Sequence, residues 1–336
     1  MRLMNGFLAL CVLAVLPALG GCATTRSDAQ YTEDYAAWQA RLTAALSAQG
    51  DADSLVALAL LRRTVTEPRY FTDTTALNAL TAAVAAAPEN RAIAALRLQA
   101  CLAAQACDAT EPAEHVRRID PGNGIADWAP LRAAMLSNDA PRIDTALAAL
   151  ANAQTFSVHF SNYVVAAADA LVRTRLPAEP QRRRSGESVD WLFVAIDGSS
   201  LYTTAAVQDL AKACRDPAAS TARIANCLRM YATLLRSDTL GLQSFGANQI
   251  LRLAPRGSPE AAAAAEVRRN LDWYNEGLYS AARPWNFRRI QTEQLVALRS
   301  YAREEDARRA LLTALEVPAA PPADWKPPSE PVAARH

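Results

Sequence analysis

Residues 119–150, IDPGNGIADWAPLRAAMLSNDAPRIDTALAAL, decide what kind of fold this chain builds. The opening Ile119-Asp120-Pro121-Gly122-Asn123 is a stop-and-start signal, because proline and glycine interrupt a helix and the following asparagine can cap the next one. Trp128, Leu131 and Met135 then recur at helical spacing, Asn138-Asp139 mark a turn, and Ile143, Leu147 and Leu150 resume the pattern. Two amphipathic helices joined by a short polar turn make a helical hairpin.

The same residues resemble a degenerate tetratricopeptide repeat: an Asp-Pro-x-Asn boundary, a Trp and a Leu three apart on the first helix, a polar turn, and packing positions on the second. Arg132 stands where the repeat usually has a small residue, and no closing proline follows. Pro88-Glu89-Asn90 is a weaker copy of the boundary. The resemblance implies helical hairpins that bury their apolar faces on neighbours and stack as an irregular α-solenoid, in one array or two sub-arrays. The alternative is a compact irregular helical domain.

Working outward, the same grammar recurs. Tyr35, Trp38, Leu42 and Leu46 mark a helix that stops at Gly50; Leu55, Leu58, Leu61 and Val65 mark a second, with Ser54 as its expected cap. A third runs from about Thr74 to Pro88, and a fourth, capped at Glu89-Asn90, carries Ile93, Leu96, Leu98 and Cys101. Ser258-Pro259-Glu260 is a further helix start. The last helices carry Leu295, Leu298 and Tyr301, then Leu311, Leu312 and Leu315. Ala, Leu, Arg and Glu dominate, and only 12 glycines occur in 336 residues, so the expected class is all-α. Residues 177–188, PAEPQRRRSGES, contain nothing to nucleate a core and read as a linker between helical regions 31–176 and 189–317; the Pro/Ala-rich tail 318–336 is expected to be disordered, with Trp325 able to dock.

The N-terminus has a different character. Arg2 precedes an apolar run from Phe7 to Leu19, which is 13 residues and shorter than the roughly 20 that a membrane span requires. It ends in Leu19-Gly20-Gly21-Cys22, which resembles the lipobox of bacterial lipoproteins. The resemblance implies a signal peptide at 1–21, acylation of Cys22, and a tether at 22–30. Ala23 rather than Asp resembles the sorting signal for the outer membrane. The lipid bilayer is then one partner, through acylated Cys22, and the expected location is the cell envelope facing the periplasm.

Composition narrows the partners further. Removing Arg2 with the leader leaves 34 basic and 34 acidic residues, which gives no reason to expect nucleic acid. No catalytic constellation is visible and no cofactor is expected. His115, His159 and His336 are the only histidines, neither internal one with metal-ligand spacing around it. Ser199-Ser200 lacks the setting of a nucleophile elbow, and Glu304-Glu305-Asp306 are adjacent carboxylates that diverge at an expected helix start. Trp273, Tyr274, Tyr279, Arg283, Trp285 and Phe287, with Arg288 and Arg289, form an aromatic and basic cluster: either a recognition patch for sugars or a partner protein, or internal packing with Arg stems over rings.

Four cysteines remain beyond Cys22: Cys101, Cys107, Cys214 and Cys227. An oxidising compartment favours disulfides, and the sequence-local pairing Cys101–Cys107 and Cys214–Cys227 is expected because each pair brackets a helix end. Residues six apart on one helix lie about 9 Å apart along its axis, beyond the roughly 7 Å a disulfide spans, so the Cys101 helix must end before Cys107. The expected function is a membrane-anchored periplasmic lipoprotein whose helical-repeat body binds an envelope protein. The alternatives are an envelope enzyme acting on peptidoglycan and an immunity-type periplasmic inhibitor.

Overall fold

The computed structural model describes residues 28–65, 74–104, 107–174, 207–216, 219–281 and 287–327. All regular structure among them is helical; the one β contact is an isolated bridge between Asn123 and Thr155. The N-terminal region comprises α1 (Asp28–Gln49), α2 (Ala52–Val65), α3 (Thr74–Ala86), α4 (Arg91–Ala103), α5 (Thr110–Ile119), a 3-10 turn (Gly124–Asp127), α6 (Trp128–Leu136), α7 (Ala140–Ala151) and α8 (Phe160–Arg173). The C-terminal region comprises helical residues 207–214 (α9), α10 (Thr221–Leu234), α11 (Leu240–Leu253), α12 (Pro259–Ala281), α13 (Phe287–Ser300) and α14 (Glu304–Ala314).

The helix boundaries follow from their chemistry. Gly50 closes α1 in the left-handed region, φ 66°, where a side chain would be strained. The cap of α2 is Asp51 and not Ser54: Asp51 accepts the Ser54 N–H at 3.1 Å, and the Ser54 hydroxyl donates back to Asp51 at 2.6 Å. A carboxylate one residue before the first turn outcompetes a hydroxyl inside it. Asn90 caps α4, accepting from Ala92 and Ile93 at 3.0 and 3.2 Å. Asp139 caps α7 through the Arg142 N–H, after a turn in which Asn138 takes φ 52°.

The hairpin of α6 and α7 forms as its sequence requires. Trp128, Leu131, Ile143, Leu147 and Leu150 are buried, and Trp128 stacks on Phe156. Gly124 has no room for a side chain, since a Cβ there would lie 2.5 Å from the Phe156 ring. Arg132, the residue out of place in a tetratricopeptide repeat, donates to the Leu102 carbonyl in the last turn of α4. Arg132 therefore fastens the α6–α7 hairpin to the end of α4, across the intervening α5.

Helix α4 is the centre of the N-terminal region: from Ala92 to Ala103 only Arg97 is not buried. Its alanines let α3, α5, α6 and α8 approach closely. Most packing is between chain neighbours, as in a stacked array, but α8 returns to cover α2, and α13 covers α8. Helix α10 likewise lies on α7. The apolar faces of the N-terminal and C-terminal helices thus merge into one large core.

Both expected disulfides are present. Cys101 and Cys107 have Cα atoms 5.2 Å apart, with α4 ending at Ala103, short of Cys107. Cys214 and Cys227 lie 5.9 Å apart and tie α9 to α10, both fully buried. Two boundaries differ from expectation. Helix α1 begins at Asp28, inside the expected tether 22–30, because its packed residues from Trp38 onward give a helical sequence a partner to extend from. The tail expected to be disordered from 318 is instead seated on α12 as far as Trp325, where hydrogen-bond donors meet its carbonyls. Cys22, the linker 177–188, Ser199, Ser200 and His336 lie outside the described residues.

Candidate functional site

Three groups of side chains merit a functional question. The first is a buried polar junction. In Arg236-Ser237-Asp238-Thr239, between α10 and α11, Thr239 caps α11 by accepting from the Leu242 N–H. Asp238 turns the other way and caps α8, some 80 residues earlier: its carboxylate accepts from Val158 N at 3.0 Å, Phe160 N at 3.2 Å and the Ser157 hydroxyl at 2.9 Å. Between those donors His159 sits at φ 55°, with its Nε2 2.8 Å from Asp120. Asn123 bonds Asp120 and clasps Ser157 through both backbone N–H and carbonyl, at 3.1 and 2.7 Å.

Glu304 extends the junction. Its backbone N–H donates to the Asp238 carbonyl at 2.8 Å, its carboxylate accepts from Leu240 N at 2.9 Å, and Arg308 stands 3.6 Å away. Three helix N-termini, of α8, α11 and α14, thereby meet at two carboxylates, the charge that helix dipoles favour there. Burial pushes the Asp238 carboxyl up, against the pull of its donors and of His159. Burial also raises Glu304, against Arg308 and the Leu240 N–H, and lowers Arg308. Perturbed carboxylates beside a strained histidine often mark catalytic sites. Here the Ser157 hydroxyl donates to Asp238, and none of these groups lines the clefts formed at α7–α11 or α1–α2. The arrangement acts as a clamp.

The second group is a cleft of about 750 Å³ between α6, α7, α9, α10 and α11, lined by Met135, Ile143, Phe245, Lys212 and Arg215. On its wall Arg223 is 6% exposed, held by Asp144 at 2.5 Å and Asp216 at 3.1 Å. Hydrogen bonding to Asp144 raises the guanidinium further above its ordinary value. The charge is committed to joining α7, α10 and the Asp216 loop. Among the described residues no group of three or more His, Cys, Asp and Glu is arranged to hold a metal ion. His115 bonds the Pro88 carbonyl at 2.7 Å.

The third group is the aromatic face of α12. The structure divides the expected cluster. Tyr274 is internal packing, 1% exposed, with its hydroxyl accepting from Arg309 at 2.8 Å and donating to Glu305 at 3.4 Å; burial raises its phenol. Trp273 lies on the adjacent face, half-buried beneath the tail, with its indole N–H on the Pro318 carbonyl at 2.7 Å. Tyr279 is 44% exposed, six residues further along. Arg283, Trp285 and the side chains of Phe287 and Arg288 lie outside the described residues, and Arg289 donates to the Ala314 carbonyl. Arg269, one turn before Trp273, is the member the expected cluster lacked; its four-residue spacing from Trp273 is the signal that reveals it.

Comparison of the chain with known protein families, with curated proteins and with solved structures finds no match.

Proposed function

We propose that this protein is a lipid-anchored lipoprotein of the bacterial cell envelope, exposed to the periplasm at the outer membrane, whose body is a protein-interaction scaffold of degenerate tetratricopeptide-like hairpins. The observation that carries this reading is Leu19-Gly20-Gly21-Cys22 at the end of a short apolar run, immediately before an all-helical body. Two disulfides in that body fit an oxidising compartment. Two or more acyl chains at about 0.8 kcal/mol per methylene hold a chain at the bilayer. Helix α1 starts six residues after Cys22, which limits the stand-off to about 20 Å and keeps the scaffold beside the membrane. A binding role is in keeping with Asp238 and Arg223, two buried charges that are spent on joining helices.

Metabolic labelling with a fatty-acid probe tests the anchor. The wild-type chain takes up label and Cys22→Ser does not; equal labelling of the two removes the anchor. Crosslinking in intact envelopes followed by mass spectrometry then identifies the scaffold's partner.

A further inference from the structure

The segment Pro318–Trp325, in VPAAPPADWKPP (317–328), crosses α12 over two side chains one helical turn apart. The Trp273 indole donates to the Pro318 carbonyl at 2.7 Å. The Arg269 guanidinium donates to the carbonyls of Pro322, Ala323 (3.5 Å) and Trp325 (3.3 Å). The Trp325 ring completes the contact, edge-on to Trp273 with centroids 5.3 Å apart and 5.9 Å from the Arg269 guanidinium carbon.

This is a complementary pair of surfaces. The helix offers hydrogen-bond donors and an aromatic ring; the segment offers carbonyls, prolines and one indole. Proline-rich segments are stiff before they bind, so ordering them costs little, and aromatic rims with donors aimed at their carbonyls are the general way of recognising them. None of the recognised groups depends on belonging to the same chain. The contact also sits at the surface, with Trp273 and Trp325 both half-buried and Arg269 partly exposed, so few contacts must be lost for the segment to leave.

We propose that the Arg269–Trp273 face of α12 is a recognition site for proline-rich segments of another chain that carry an aromatic anchor, and that residues 318–325 occupy it as a displaceable internal ligand. The site gives the scaffold reading a partner chemistry and rests on that reading. Its failure leaves the acylation of Cys22 untouched, and the converse holds.

The test uses the full chain and a fluorophore-labelled peptide of residues 317–328. Trp325→Ala weakens the internal ligand, and the peptide then binds this variant at least about 10-fold more tightly than wild type, since the competing occupant no longer holds the site. Adding Arg269→Gln or Trp273→Ala to Trp325→Ala abolishes that binding, with thermal melts confirming that the double variants are folded; Arg269→Gln serves if Trp273→Ala is not. Equal binding to wild type and Trp325→Ala, absence of binding, or binding that survives Arg269→Gln overturns the proposal. Sedimentation showing wild-type dimers that Trp325→Ala dissolves also overturns it, in favour of tails exchanged between two copies.

Discussion

At Asp238 two opposing effects meet. Burying a carboxylate costs free energy, whereas leaving the N–H groups of Val158 and Phe160 and the Ser157 hydroxyl without an acceptor costs about 1–3 kcal/mol for each donor. Burial is the larger effect on the carboxyl itself, but alanine leaves all three donors without an acceptor, so Asp238→Ala loses about 3 kcal/mol of unfolding free energy at neutral pH, measurable by urea denaturation; a loss below about 1 kcal/mol would show that water replaces the carboxylate. Glu304 carries a pH signature. Its carboxyl is raised in the folded protein, so the stability it contributes is present below the unfolded value, about 4, and is lost as pH rises through the folded value. The groups facing it are Arg308 from its own helix, Asp238 from the loop before α11 and the Leu240 N–H at the first residue of α11. Glu304→Gln abolishes this slope. Its unfolding free energy relative to wild type therefore rises as the pH is raised above about 4, and a difference that stays constant would sink the assignment.

At the scale of elements, the two disulfides brace different amounts of chain. Cys101–Cys107 closes a separation of 6 residues and Cys214–Cys227 one of 13. Loop-closure entropy alone assigns them about 2 and about 3 kcal/mol. Paired serine substitutions should follow that order, with Cys214→Ser/Cys227→Ser the more damaging because both residues are fully buried as well. Non-reducing peptide mapping gives an independent check, and a Cys101–Cys214 crosslink would contradict both pairings. Helix ends were legible where their caps are local, as at Asn90, Asp139 and Ser258. The Ser54 cap failed because Asp51 lies nearer the helix start and accepts from Ser54 itself.

Across the whole molecule, α8 packed on α2 and α13 packed on α8 make distant segments hold one another. An open array can fray repeat by repeat, whereas a body closed in this way has to open its centre at once. Hydrogen exchange should therefore give α2, α4 and α8 the same opening free energy. Val164→Ala, at a fully buried site in α8, should lower all three together by about 1 kcal/mol or more. Protection that falls in α8 alone would show that it is an independent appendage.

The sequence by itself determined the all-helical class, the helix boundaries marked by local caps, the α6–α7 hairpin and both cysteine pairs, because each rests on one element or on two consecutive ones, where periodicity, caps and chain geometry act. Only the tertiary structure decided that Asp238 caps α8, that Arg132 closes α4, that Glu304 caps α11, and that the tail lies on Arg269 and Trp273. Those contacts join residues 30 to 80 positions apart, and nothing in the spacing of two such residues records that folding brings a donor to an acceptor. For the aromatic cluster both mattered: its composition drew attention to α12, and the packing separated Tyr274, turned inward, from Trp273, turned toward the tail.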